Sequence, residues 1–161
     1  MKKLILVRHG KSSWEHNLPD NERPLLKRGY TDGELVSKAF TKSLDIAPVI
    51  WTSPAIRALE TAKIFRNNLN IVEDKFNIKQ GLYTFNWQEL LHIINSCEPE
   101  VENLMIFGHN PAMTNLVNIL GDKHFDNIPT TGLTYINFES ATWENLKQGT
   151  TLLNLFPKNL R

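Results

Sequence analysis

The sequence predicts an α/β protein on a mostly parallel sheet, from two observations. Its short apolar runs are rich in β-branched residues and apolar throughout, as in strands covered on both faces. Between them lie longer segments of helical period, so strand and helix alternate. The 161 residues are 41% hydrophobic and 22% charged, enough for one sizeable core, and 1–161 reads as a single domain.

Residues 3–7 are the first strand, an apolar run ended by Arg8, His9 and Gly10. A helix over 30–44 follows, then a strand over 49–52. Ser53 as N-cap and Pro54 as first helical residue open the clearest helix. In it Ala58, Ala62, Phe65 and Leu69 recur on one face. Residues 70–83 show no period and read as a loop with room for a short strand. A helix over 87–96 precedes the strand 104–107, which Gly108 ends. The helix over 111–120 has a proline at its first position and is closed by Gly121. Late strands over 134–138 and 151–155 flank a turn near Lys147 and Gly149. No internal repeat or low-complexity segment is present.

Eighteen Lys and Arg against 17 Asp and Glu give a formal net charge of +1. No global field then favours nucleic acid or an anionic membrane, and any anion site must be local. Cys97 stands alone, so no intrachain disulfide forms, and no Cys-His cluster has zinc-finger spacing. A reducing compartment fits. Lys2 and Lys3 precede only four apolar residues before Arg8, too few for a signal-peptide core or a membrane span. A cytoplasmic location is expected.

In open α/β sheets, ligands bind beyond the carboxyl ends of the strands. Three such exits carry Arg8-His9-Gly10, Ser53 through Arg57, and Gly108-His109-Asn110-Pro111. Two histidines and two arginines could surround one point. Arg57 falls in the first turn of its helix, where the macrodipole disfavours a cation by roughly 0.3–1 kcal/mol. A phosphate would compensate it; so would pairing with Glu60 or Glu34 at the surface. Singly, each histidine reads as a structural hydrogen-bonder, and Gly10 and Gly108 as turn residues. Their convergence on one sheet edge points to a site.

The segments "LVRHGKSSW" (6–14), "RPLLKRG" (23–29), "TSPAIRALETA" (52–62), "GHNP" (108–111) and "LFPKNL" (155–160) resemble the histidine phosphatase superfamily, the phosphoglycerate mutase-like group, and within it the SixA-type phosphohistidine phosphatases. The resemblance implies a three-layer α/β/α sandwich with a mostly parallel central sheet. It implies His9 as a nucleophile that becomes phosphorylated, His109 as the second catalytic histidine, and Arg8, Arg57 and Arg23 as phosphate ligands. It implies no cofactor and no metal. The chemistry fits these residue types. A neutral imidazole attacks phosphorus through one nitrogen when the other nitrogen's proton is held, and arginine forks match the equatorial oxygens of the transition state.

Larger members of the superfamily carry an acid that protonates the leaving group, and here no residue matches it clearly. Glu89 is the nearest by chain region, with a solvent-facing helix position as its plainer reading. His16 reads as an exposed loop residue, His92 as packed or hydrogen-bonded, and His124 as part of a charged turn. Zinc on His9 and His109 would need a third ligand, and neighbouring arginines oppose a dication. Ser12 and Ser13 donate to phosphate or shape the loop, and Trp14 walls the entrance or packs beneath it. The expected function is a metal-independent phosphatase acting on phosphohistidine proteins. The alternatives are a phosphatase of small phosphoesters, a mutase or transferase, or a non-catalytic phosphate-recognition module. The expected partner is a phosphorylated substrate, either phosphoprotein or small phosphoester.

Overall fold

The computed structural model describes residues 1–161, and strand and helix alternate through most of it. In order come β1 (Lys2–Arg8), α1 (Lys27–Phe40), β2 (Val49–Thr52), α2 (Ile56–Leu69), β3 (Phe76–Ile78), α3 (Trp87–Asn95), β4 (Asn103–Gly108), α4 (Ala112–Leu120), β5 (Leu133–Phe138) and β6 (Thr150–Leu155). The strands form one sheet of order β3-β2-β4-β1-β5-β6. β3, β2, β4 and β1 run parallel, while β5 is antiparallel to β1 and β6 to β5. This is the mostly parallel, three-layer architecture the sequence implies.

Side chains alternate across the pleat of β1. Leu4 and Leu6 pack with Leu90, Ile94, Leu116 and Val117 of α3 and α4. Ile5 and Val7 pack with Val36, Phe40, Ala62 and Phe65 of α1 and α2. Both faces are thus covered, which is why the run is apolar without alternation. Each of these four β1 side chains is fully buried, at roughly 1.5–3 kcal/mol apiece. That burial fixes where Arg8 and His9 emerge.

Several boundaries differ from the sequence expectation. α2 starts at Ile56 with Ala55 as its N-cap and no side-chain cap, while the Ser53 hydroxyl is shared between Ala55 N–H and His109. α1 starts at Lys27 rather than residue 30. Pro111 caps α4 instead of opening it. Within 70–83, β3 pairs with β2 in parallel; three residues are too few to show a period. His92 is exposed rather than packed. No helix is long and apolar enough to cross a membrane.

Between β1 and α1 the chain makes a closed loop. Its neck is the Ser12–Leu25 bridge, with Ser13 N–H on the Pro24 carbonyl at 2.9 Å and Leu26 N–H on the Lys11 carbonyl at 2.8 Å. Residues 14–22 beyond the neck are all exposed. The neck lies against the first turn of α1. A Cβ on Gly29 would sit 2.6 Å from the Lys11 carbonyl oxygen, and one on Gly10 would sit 3.2 Å from the Gly29 Cα. No glycine has positive φ, so Gly10 is required for space and not for a turn. Gly108, in β4, faces only ordinary contacts.

Candidate active site

The three strand exits open into one cavity of about 280 Å³ at the carboxyl ends of β1, β2 and β4. Arg8, His9, Arg23, Arg57 and His109 all line it, together with Asp20 and Trp14. Arg57 is 2% exposed, His109 1% and His9 8%. Each is the kind of group that stays buried only when hydrogen-bonded.

Hydrogen-bond chemistry fixes both imidazole tautomers. His9 Nδ1 lies 2.8 Å from the Gly10 carbonyl oxygen, which only accepts, so Nδ1 carries the proton. Nε2 then presents its lone pair and accepts from Arg57 Nε at 3.3 Å. The same guanidinium donates through Nη2 to His109 Nδ1 at 3.3 Å. His109 Nε2 therefore carries its proton and donates to Ser53 Oγ at 2.8 Å, and that oxygen also accepts from Ala55 N–H at 3.2 Å. Arginine can only donate, so one guanidinium sets the orientation of both rings, whose centroids are 5.3 Å apart.

Burial, with help from the charges of Arg57, Arg8 and Arg23, holds the His9 pKa down at about 3 against the pull of the Gly10 carbonyl. Burial also lowers His109 to about 3, with His9 and Arg57 acting in the same direction. Both rings are neutral at pH 7. Burial lowers the pKa of Arg8 as well. Its Nη1 donates to the Ile128 carbonyl at 2.8 Å, while its buried Nε has no partner in the protein. Thr131 pins this corner: its N–H contacts the carbonyls of both Arg8 and His9. It does so at φ 59°, a left-handed conformation uncommon for a β-branched residue.

Arg57 is paired neither with Glu60 nor with Glu34. Glu60 meets Lys63, and Glu34 meets Lys38. Its partner is Asp20, which the sequence reading missed. Arg57 Nη2 lies 2.8 Å from Asp20 Oδ2, and Nη1 donates to the Asp20 carbonyl at 2.5 Å. Asp20 Oδ2 also accepts from the Tyr83 hydroxyl at 2.5 Å, and Oδ1 from Arg23 Nε at 3.4 Å. Burial pushes the Asp20 carboxyl up, but the hydrogen bonds from Tyr83 and Arg57 outweigh it and hold the pKa at about 2. Burial and the Asp20 carboxylate in turn raise the Tyr83 hydroxyl. One signal was available: Asp20 precedes Arg23 by three residues, the spacing that shares a face in a 3₁₀ turn, and such a turn spans Asp20–Glu22.

Arg23 Nη1 donates to Ser12 Oγ at 2.9 Å and lies beneath Trp14, its guanidinium carbon 3.5 Å from the ring centroid. Ser12 therefore positions an arginine, and Trp14, 77% exposed, stands at the mouth with Arg23 against one face of its ring. Phe85 is the other exposed aromatic lining the cavity. Glu89 does not line it; its carboxylate accepts from Thr84 Oγ1 at 2.6 Å. His16 and His124 are exposed.

The arrangement can hold a tetrahedral oxyanion among arginine forks, beside the His9 Nε2 lone pair that Arg57 Nε occupies. Comparison with known proteins agrees in kind. The model of the histidine phosphatase superfamily (branch 1) matches residues 4–93. An uncharacterized chloroplastic protein of Arabidopsis thaliana is 27% identical over 128 residues; the match covers 74% of this chain and 59% of that protein. The protein histidine phosphatase SixA complexed with tungstate superposes with a TM-score of 0.76 at 20% identity over 99% of both chains. A mycobacterial glucosyl-3-phosphoglycerate phosphatase gives a TM-score of 0.69 at 13% identity, covering 95% of this chain and 98% of that one.

Proposed function

We propose, because the chain belongs to the histidine phosphatase superfamily (branch 1), that it hydrolyses phosphoryl groups through a covalent phosphohistidine on His9, acting on phosphohistidine in proteins. The observation that carries this reading is the His9 tautomer. With Nδ1–H on Gly10 and the ring neutral, the Nε2 lone pair needs no prior deprotonation, only release from the Arg57 Nε hydrogen bond.

An incoming phosphoryl dianion takes the guanidinium of Arg57 from Asp20 and from His9 Nε2, freeing that lone pair, and engages Arg8 and Arg23. The unpartnered Arg8 Nε gains an oxygen acceptor, relieving an unpaired donor worth roughly 1–3 kcal/mol. Nε2 attacks phosphorus in line. The bond to the leaving group breaks as the bond to Nε2 forms, with charge on the equatorial oxygens met by the arginines. Asp20, once deprived of Arg57 and placed beside a dianion, rises in pKa and can carry a proton to the departing atom. His109 Nδ1 must likewise gain a proton to donate to a phosphoryl oxygen, and the same negative charge favours that uptake. Water then cleaves the Nε2–phosphorus bond, releasing inorganic phosphate and regenerating neutral His9.

The open mouth supports this substrate class. Trp14 and Phe85 offer exposed aromatic faces that suit a flat leaving group such as imidazole on a protein surface. That the similar SixA structure is a complex with tungstate, a tetrahedral oxyanion, supports oxyanion binding here. The test is rapid quench with labelled substrates: phosphohistidine protein, aryl phosphate and phosphoglycerate. An acid-labile, alkali-stable phosphoprotein is expected, lost in His9→Ala. Label surviving in that variant would remove His9 as nucleophile, and preference for phosphoglycerate would replace the protein substrate by a small phosphoester.

A further inference from the structure

Beside the active-site cavity lies a second one of about 260 Å³, lined by Lys11, Arg28, Asp32, Pro129, Thr130, Pro157, Lys158 and Arg161. Lys11 and Thr130 belong to both walls, so the two cavities are adjoining rooms. Four cations and one carboxylate line the second, in a chain whose formal net charge is only +1. The carboxylate is Asp32, 3% exposed. It accepts two bonds from Arg161 Nη2 at 3.0 Å and lies 3.6 Å from Arg28 Nε. Asp32 thus holds two guanidiniums in place but cannot balance the set, while Lys11 and Lys158 have no carboxylate partner. Nor is this needed for one phosphoryl group, which the first cavity already meets with Arg8, Arg23 and Arg57. Like charges gathered in a concave surface raise the local concentration of anions.

We propose that this basic cavity is a second anion-binding site, taking a carboxylate or phosphate carried by the same substrate whose phosphoryl group sits at His9. The inference rests on the phosphatase reading for its substrate, but not for the binding of an anion. It makes the preferred substrate one with a second acidic group near the scissile phosphoryl. Binding should weaken with salt, since the exposed cations are screened.

Two measurements on the full chain decide it. In the first, inorganic phosphate is titrated while backbone amide resonances are followed by NMR. In Arg57→Ala, the amides of Asp32 and Lys158, which line only the second cavity, should still shift. In Arg28→Gln/Lys158→Gln, which leaves the Asp32–Arg161 pair intact, those shifts should vanish while His9 and Arg57 still respond. No shift around Lys158 in the parent, or shifts surviving the double substitution, would overturn the site. In the second, kcat/KM is compared for 4-nitrophenyl phosphate, for phosphohistidyl peptides with acidic or neutral flanks, and for phosphoglycerate against glycerol phosphate. The double variant should lose about tenfold, mainly through KM, on the acidic member of each pair, as for two half-exposed ion pairs. On 4-nitrophenyl phosphate it should change less than about twofold. The pair that shows the loss identifies the source of the second anion, peptide or small molecule. Phosphate binding without any change in selectivity would overturn the assignment to the substrate. A parent inactive on every phosphate compound would defeat the phosphatase reading, while the titration would still decide the cavity.

Discussion

Replacing Asp20 by Asn should tighten oxyanion binding and slow turnover at the same time. The substitution keeps the size and an acceptor for Tyr83 but removes the charge that occupies Arg57 at 2.8 Å. Arg57 is buried, whereas the Asp20 side chain is 41% exposed, so solvent screens the pair and it is worth about 1 kcal/mol. An anion entering the pocket must displace it. Tungstate or vanadate should therefore bind about fivefold more tightly to Asp20→Asn, measured by calorimetry or by inhibition of 4-nitrophenyl phosphate hydrolysis. Loss of the proton donor should lower kcat by about 10²–10⁴-fold on alkyl phosphates and far less on aryl phosphates, whose leaving groups need little protonation. Glu89→Gln, at a residue that does not line the cavity, should change neither quantity. Weaker oxyanion binding with unchanged leaving-group dependence would show that Asp20 only shapes the pocket, and the mechanism above would lose its acid.

Arg57→Lys keeps a charge but not the fork that reaches His9, His109 and Asp20 together. Losing hydrogen bonds to charged groups at roughly 1.5–3 kcal/mol should lower kcat/KM by about one to two orders of magnitude; near-normal steady-state kinetics would place Arg57 outside the reaction. The two buried histidines should make the fold acid-sensitive. Their folded pKa of about 3 lies below the unfolded value near 6.5, so their contribution is present above 6.5 and is lost as pH falls towards 3. Each histidine should cost about 1.4 kcal/mol per pH unit in that window. Urea unfolding of the parent and of His109→Asn at pH 7 and pH 5 measures this, and equal pH dependence in the two would contradict the burial argument.

What was legible in the sequence is what the sheet itself positions. Arg8, His9 and His109 follow runs whose burial is written in their composition, and Arg57 was marked by a cation standing at the wrong end of a helix. Asp20 was hidden because "WEHNLPDNE" has the polarity of an ordinary exposed loop, and its role appears only when the loop folds back onto α2. Ser53 misled for a related reason. Its type and place suit an N-cap, but the hydroxyl serves His109 across 56 residues of chain. Gly10 suggested a turn, whereas the need is for clearance against Gly29, a tertiary distance that no local pattern encodes. The basic cavity is likewise assembled from four separate segments of the chain.

The placement of β1 between β4 and β5 divides the site by amide-exchange behaviour. Its N–H groups are paired on both sides of the sheet, so deuterium should enter at Arg8 and His9 only with opening close to global unfolding. Asp20 and Trp14 hang beyond the Ser12–Leu25 neck, where residues 14–22 are exposed and local opening is cheap. A protease nick in that stretch would therefore leave a folded body that keeps its nucleophile, Arg8 and Arg57 while the carboxylate that guards them drifts away. Access to His9 is then a property of the loop's own local stability, and it can change without any change in the melting temperature of the domain.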